Sequence, residues 1–237
     1  MPKKKITKVT LVISVFILVV VTAGVFWRME QNSFQETLSL RREEAKKHLS
    51  YSSQASVAPE YRDQFERCEE MSRYDHFVAR QPSDLTDEEI EEAVSVSEKC
   101  ASHFPDKRDF SYQKVGESLK EMEKLIAEQG GFDNKEEAVA SDYGDPEKAE
   151  FIDVWESIDD VLKTQAETFA ELGSIQEDYF RVERDLRRGE ISSEEREEEF
   201  GRINEKANES LDLMQEKSAE LKELKQKEEK VWEDLLD

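Results

Sequence analysis

Residues 155–186 read WESIDDVLKTQAETFAELGSIQEDYFRVERDL, and their spacing decides the fold. Trp155, Ile158, Leu162, Gln165, Phe169, Leu172, Gln176, Tyr179, Glu183 and Leu186 recur in alternating steps of three and four. That repeat puts side chains on one face of an α-helix, whereas a strand repeats every second residue. One residue further on, Arg188-Gly189-Glu190-Ile191-Ser192 form a turn. Gly189 suits the left-handed position that ends a helix, and Ser192 with Glu195 has the form of a capping box that starts another. Beyond the turn the alternation resumes as Phe200, Asn204, Ala207, Leu211, Met214, Ser218, Leu221, Lys225, Glu228, Trp232 and Leu235.

Two stripes of one period joined by a short turn predict a long antiparallel hairpin over residues 146–237, packed in the manner of a coiled coil. The polar members Gln165, Gln176, Glu183, Asn204, Lys225 and Glu228 weaken a dry two-stranded seam. Ile175, Val182, Ile203, Leu213, Leu224 and Val231 widen the apolar stripe. A third helix or a second chain is therefore expected against the hairpin. Trp232 is expected to close its open end opposite residues 149–152.

Working back toward the N-terminus, Asp145-Pro146-Glu147 starts the hairpin's first helix with an N-cap, a proline at the first helical position and an acid behind it. Residues 132–145 read as a connector with one short helical turn around Glu136–Ala140. Within it, Asp142-Tyr143-Gly144-Asp145 lacks the alternating acids and sixth-position glycine of a calcium loop. Phe110 to Gln129 is predicted helical on Val115, Leu119, Met122 and Ile126, and Gly130-Gly131 stops it. This helix is the first candidate to cover the hairpin.

Between Glu60 and Ala79 the residues Tyr61, Phe65, Cys68, Met71, Tyr74 and Val78 recur at helical spacing, and Gln81-Pro82-Ser83-Asp84 breaks the run. Thr86 and Glu89 form a second capping box. The helix it opens carries Ile90, Ala93, Val94, Ser97, Cys100 and Phe104 on one side and ends at Pro105. An antiparallel pair places residues equidistant from the turn face to face, and Cys68 and Cys100 are centred on position 84 inside the predicted turn. In an exported domain this implies a disulfide. Closing a loop of about 30 residues would stabilise the fold by about 3–4 kcal/mol in the chain-entropy model. Residues 60–131 thus form a disulfide-linked hairpin plus a third helix.

Residues 28–59 are expected to be a polar stalk and linker. Phe34, Leu38, Ala45 and Leu49 make a stripe too thin for independent folding. SYSSQASVA, closed by Pro59, follows as a linker. The segment before the stalk, from Val9 to Trp27, is VTLVISVFILVVVTAGVFW and carries no charge. As a helix it would be about 28 Å long, matching a hydrocarbon core of about 30 Å. Lys3, Lys4, Lys5 and Lys8 precede it and only Arg28 follows closely, so the positive-inside rule keeps residues 1–8 in the cytoplasm and exports the rest. Val21-Thr22-Ala23 resembles a signal-peptide cleavage site. The apolar run nevertheless continues through Val25, Phe26 and Trp27, as a retained anchor would. The expected fold class is all-α: one transmembrane helix plus an extracytoplasmic helical bundle with a long C-terminal hairpin.

Composition agrees with long helices: 38% of the 237 residues are charged, with eight glycines and five prolines. The formal net charge is −23, and the four leading lysines contribute +4, so residues 9–237 carry −27. Such a surface repels phosphate, which excludes nucleic acid as a partner. His48, His76 and His103 stand in no Glu-x-x-His or His-Glu-x-x-His step, and no phosphate-binding glycine loop or G-x-S-x-G turn occurs. Adjacent carboxylates such as Asp159/Asp160 and Glu194/Glu195 are expected on solvated faces, not in a cleft that splits their pKa values. No catalytic residue, cofactor or metal site is expected. The functional expectation is a non-catalytic, membrane-anchored binding, spacing or scaffolding module, with a protein partner or a second copy meeting the hairpin. The alternative is a sensor-type bundle that binds a small ligand or cation and signals through a partner.

Overall fold

The computed structural model describes residues 28–29, 31–49, 77, 79–100 and 106–236, and among these there is no strand. Helix α1 covers residues 31–49. It is followed by α2 (Asp87–Cys100), α3 (Asp106–Gly130), the short α4 (Lys135–Ala140), α5 (Pro146–Arg187) and α6 (Ser193–Leu236). The protein is all-helical, with a long C-terminal hairpin formed by α5 and α6.

The described caps and stops fall where local chemistry requires. The Thr86 hydroxyl accepts from the Glu89 N–H at 3.2 Å while the Glu89 carboxylate accepts from the Thr86 N–H at 2.7 Å. Ser192 and Glu195 repeat this exchange at 3.2 and 2.8 Å at the head of α6. The Asp145 carboxylate accepts from the Glu147 N–H at 3.0 Å, with Pro146 inside the first turn of α5. Both long stops are Schellman motifs, in which a left-handed glycine lets two later N–H groups return to the last turn. Gly189 has φ +70°; its N–H reaches the Leu186 carbonyl and that of Glu190 reaches the Asp185 carbonyl, both at 2.9 Å. Gly131, at φ +80°, ends α3 in the same way through Glu128 and Ala127.

Helix α5 is the spine. It packs against α6 along the hairpin, against α3 in its first half and against α2 in its second. Helix α3 runs antiparallel to it and buries Val115, Leu119, Met122 and Ile126, the stripe predicted for it, against Phe151, Trp155 and Ile158. Helix α2 packs Ile90, Ala93, Val94 and Val96 around Phe180. At the open end the rings of Phe151 and Trp232 meet at 5.6 Å, closing the hairpin where the sequence placed the closure.

Two expectations change. The segment read as a stalk is built into the bundle: Leu38, Ala45 and Leu49 are buried in the same core as Trp155 and Trp232. A thin stripe suffices here because α1 lays it in a groove between other helices and need not fold alone. The hairpin seam also differs on α6. The buried positions are Ile203, Ser210, Leu221, Glu228, Val231 and Trp232, whereas Leu211 is 47% exposed and Asn204 and Ser218 are exposed. Asn204 and Ser218 still meet α5 at the edge of the seam, accepting from Tyr179 and, at 3.3 Å, from Gln165, while the adjoining Ile203 and the nearby Ser210 turn inward. Ser210 takes the inward place that Leu211 was given, and its small side chain donates to Glu171 at 3.1 Å.

Among the described residues no helix is long and apolar enough to cross a membrane. The anchor expected from Val9 to Trp27, and Lys3, Lys4, Lys5 and Lys8 that set its direction, lie outside the described residues.

Candidate functional site

The strongest polar feature is a buried ion network where α1 meets α6. Arg42 occupies the gap in the α1 stripe, four residues after Leu38 and three before Ala45. Its side chain is 6% exposed and faces Glu228, 3% exposed. The guanidinium donates to the Glu228 carboxylate through Nε at 2.6 Å and Nη2 at 3.0 Å, and to Glu229 through Nη2 at 2.7 Å. Lys46, one turn on, also donates to Glu229. The guanidinium carbon lies 4.6 Å from the Trp232 ring centroid, a cation–π contact in a setting sheltered from water. Burial alone would lower the Arg42 pKa, but hydrogen bonds and charge from Glu228 and Glu229 outweigh it and hold the group above its ordinary value. The hydrogen bonds from Lys46 and Arg42 hold the Glu229 carboxyl below the usual carboxylate range. Beside this network a cavity of about 110 Å³ is lined by Lys46, Leu49, Ile158, Lys225, Glu228 and Glu229. Burial lowers the pKa of Lys225 there.

A second polar feature is the groove between α3 and α5, about 670 Å³, with Tyr112, Gly116, Lys120 and Asp159 among its walls. Asp159 projects toward α3, where a Cβ added at Gly116 would sit 3.1 Å from its Oδ1. That oxygen is buried without a hydrogen-bond partner. Burial, then the charge of Asp160, pushes the Asp159 carboxyl up to about 6. At the lower edge Lys135 from α4 bridges Glu123 of α3 at 2.5 Å and Glu156 of α5 at 3.3 Å. Among the described residues the lining offers carboxylates, lysines and a phenol but no histidine, cysteine or serine. These groups offer charge and hydrogen bonding. Among the described residues no group of three or more His, Cys, Asp or Glu side chains is placed to hold a metal ion.

At the tip, Arg181 and Arg187 of α5 and its C-cap Arg188 fasten α2 and the turn before it. Arg187 donates to the Leu85 carbonyl at 2.7 Å, to Asp87 at 3.0 Å and to Glu183 at 3.1 Å. Arg188 grips Glu91 with two bonds of 2.7 Å, and Arg181 reaches Glu98 at 3.0 Å.

Of the residues singled out in the sequence, Cys68 lies outside the described residues, as does the side chain of Cys100. His76 and His103 also lie outside them, and His48 is buried near the end of α1. Asp142 and Tyr143 form a tight turn at φ +48° and +54°, with the Tyr143 ring buried. Two features depart from the sequence expectations. Arg42 falls within the stretch expected to be a polar stalk, yet a cation in the slot of one stripe and Glu228 in the seam of another are complementary signals. Asp159 was assigned to a solvated face because sequence shows the neighbouring carboxylate but not the glycine of α3 that lets it approach. No protein-family model, no curated protein and no solved structure matches this chain.

Proposed function

We propose that the chain is a non-catalytic, membrane-anchored, extracytoplasmic helical protein that serves as a binding, spacing or scaffolding module. The observation that carries this reading is where the bundle receives α1. The Phe34 ring lies near Lys148 at the start of α5, and Arg42 is bonded to Glu228 near the end of α6. The N-terminal end of α1 therefore shares the hairpin's open end, and the apolar run of residues 9–27 leads into that base. The turn at Arg188–Ser192 is at the opposite end of a 42-residue helix, about 63 Å away at 1.5 Å per residue. Anchored so, the bundle holds a charged tip at a set height above the lipid surface, reached by a protein partner or a second copy.

Fractionation of the full-length chain, with a reporter fused after Asp237, tests the anchor and its direction. Recovery in the membrane fraction with an exported reporter is expected. A freely soluble chain or a cytoplasmic reporter would sink the reading. The alternative, a sensor-type bundle that binds a small ligand or cation and signals through a partner, has the half-buried Asp159 groove in its favour. Thermal-shift screening against metal ions and small cations separates the two. A saturable shift that Asp159→Asn removes favours the sensor, and a flat screen with a partner recovered by crosslinking favours the module.

A further inference from the structure

Glu123 of α3 and Glu156 of α5 are joined across the groove between these helices by the Lys135 ammonium, at 2.5 and 3.3 Å. Glu123 is 7% exposed, and a carboxylate so withdrawn from water needs a countercharge within hydrogen-bond reach. The chain thus supplies, from its own α4, an ammonium that the lower end of the groove holds.

One turn higher on α5 stands Asp159, three residues after Glu156. Its Oδ1 is buried and has no hydrogen-bond partner. Opposite it α3 carries Gly116, and the missing side chain leaves room: a Cβ there would sit 3.1 Å from that oxygen. Lys120 of α3 and Lys163 of α5 act on Asp159 through space, but both are exposed and neither bonds its Oδ1. Among the described residues no lysine does for that oxygen what Lys135 does for Glu156. The Asp159 carboxyl, pushed up to about 6 by burial and then by Asp160, is still mostly ionised at pH 7. A water molecule would satisfy its hydrogen bond and leave its charge uncompensated.

The space beside Asp159 exceeds what a water or a bare ion fills. The groove encloses about 670 Å³, a volume of the size that holds small organic molecules. Five carboxylates against two lysines line it, a net charge of −3, with Leu119 and Tyr112 as its less polar walls. Burial, then the charge of Asp159, holds the Tyr112 phenol above its ordinary pKa, so it stays a neutral donor beside the carboxylate. At the lower rim Tyr143 is 3% exposed and its buried hydroxyl also has no hydrogen-bond partner. The charges around it are those of Glu123, Lys135, Glu156 and Asp153. Among the described residues no group of three or more His, Cys, Asp or Glu side chains is placed for a metal ion. The cation that fits is therefore organic, with N–H groups for one carboxylate and a carbon chain for the walls.

We propose that the groove between α3 and α5 binds a primary ammonium group, which donates to Asp159 in the room that Gly116 leaves open. It does at Asp159 what Lys135 does one turn below. The ammonium comes from one of two sources, a free alkylamine or the lysine side chain of a protein partner. The site rests on the binding role proposed above and not on the anchor, so a failed membrane fractionation leaves it standing, and a vacant groove leaves the anchor standing.

The test uses the full-length chain in a neutral detergent, with 3-fluorotyrosine at its six tyrosines. The ¹⁹F signal of Tyr112, assigned by its loss in Tyr112→Phe, is expected to move saturably as n-butylamine is added. n-Butanol, which lacks the charge, and tetramethylammonium, which lacks the N–H, should bind at least about tenfold more weakly. Asp159→Asn should weaken n-butylamine at least about tenfold as well, whereas Glu209→Gln, at an exposed position of α6, should leave it unchanged. Should Asp159→Asn disturb the fold, Gly116→Ala decides: it crowds Oδ1 while favouring the helix, and should weaken n-butylamine likewise. Acetyl-Gly-Lys-Gly-amide, with its norleucine counterpart as control, separates the sources. Movement of the Tyr112 signal by the lysine peptide at the same or lower concentration than n-butylamine gives the site to a partner's lysine. A peptide weaker than n-butylamine gives it to a free amine. A signal that neither probe moves overturns the proposal, as does n-butanol or tetramethylammonium binding as well as n-butylamine, or undiminished binding in Asp159→Asn.

Discussion

Arg42 engages the carboxylates of Glu228, Glu229 and the neighbouring Glu43 and an indole at once, and its value to the fold depends on keeping them. Removing one partner of a buried pair leaves an uncompensated charge, whereas replacing both with apolar residues of similar size is close to neutral. Arg42→Met is therefore expected to lower the unfolding free energy by about 3 kcal/mol, and Arg42→Met with Glu228→Met to recover most of that. Urea titration of both variants checks it, and a double variant as unstable as the single one would refute it. Asp159 works in the opposite direction. Its carboxyl is raised from 3.8 to about 6. The fold thus has this group's full stability contribution below pH 3.8 and loses it as pH rises through 6. The shift corresponds to at most about 3 kcal/mol, reduced to about 1–2 kcal/mol for a group only half withdrawn from water. Asp159→Asn should raise the melting temperature at pH 7 and leave it nearly unchanged at pH 4. An equal gain at both pH values would contradict the assignment.

At the scale of elements, the helix ends were the most legible part of the chain, because caps and stops are made by side chains a few residues apart. Thr86 with Glu89, Ser192 with Glu195, Asp145 with Pro146, and the glycines at 131 and 189 were all readable before any packing was known. The seam of α6 was less legible. Leu221, Glu228 and Trp232 are buried where the spacing put them, and the remaining positions are decided by the other helices that press on the hairpin. Leu211 is more apolar than Ser210, yet Ser210 faces inward because Glu171 and the close approach of α5 favour a small hydroxyl there. Two glycines separate conformation from propensity. Gly189 sits at φ +70°, so Gly189→Ala is expected to cost about 1 kcal/mol or slightly more. Gly201 is exposed within α6 and a Cβ there meets nothing within 4 Å, so Gly201→Ala should stabilise the protein by about 0.5–1 kcal/mol. Denaturant midpoints of opposite sign for two alanine substitutions twelve residues apart are the check, and equal signs would contradict the turn geometry.

For the whole molecule, one long helix sets the length and shorter helices set the stiffness. Period and turn chemistry gave the hairpin from sequence, but nothing in the stripe of α1 announced that it would grip the base, since that depends on the groove formed by three distant segments. Gly173 is the weak point of such a spine, a buried glycine in the middle of a 42-residue helix. The neighbours offset it: α2 grips α5 above through Arg181, Arg187 and Arg188, and α3 packs below around Trp155. Spin labels carried on p-acetylphenylalanine at the exposed positions Glu150 and Glu190 leave both cysteines untouched. They should show one narrow distance distribution near 55–60 Å, the span of some forty helical residues at about 1.5 Å each. Releasing α2 with Arg187→Ala and Arg188→Ala removes its bonds to Asp87, the Leu85 carbonyl and Glu91. The distribution should then broaden toward shorter distances as α5 bends at Gly173, while the melting of the lower half, held by Arg42 and Trp232, changes little. A distribution that stays narrow and long after that release would assign the stiffness to the α5–α6 pair alone.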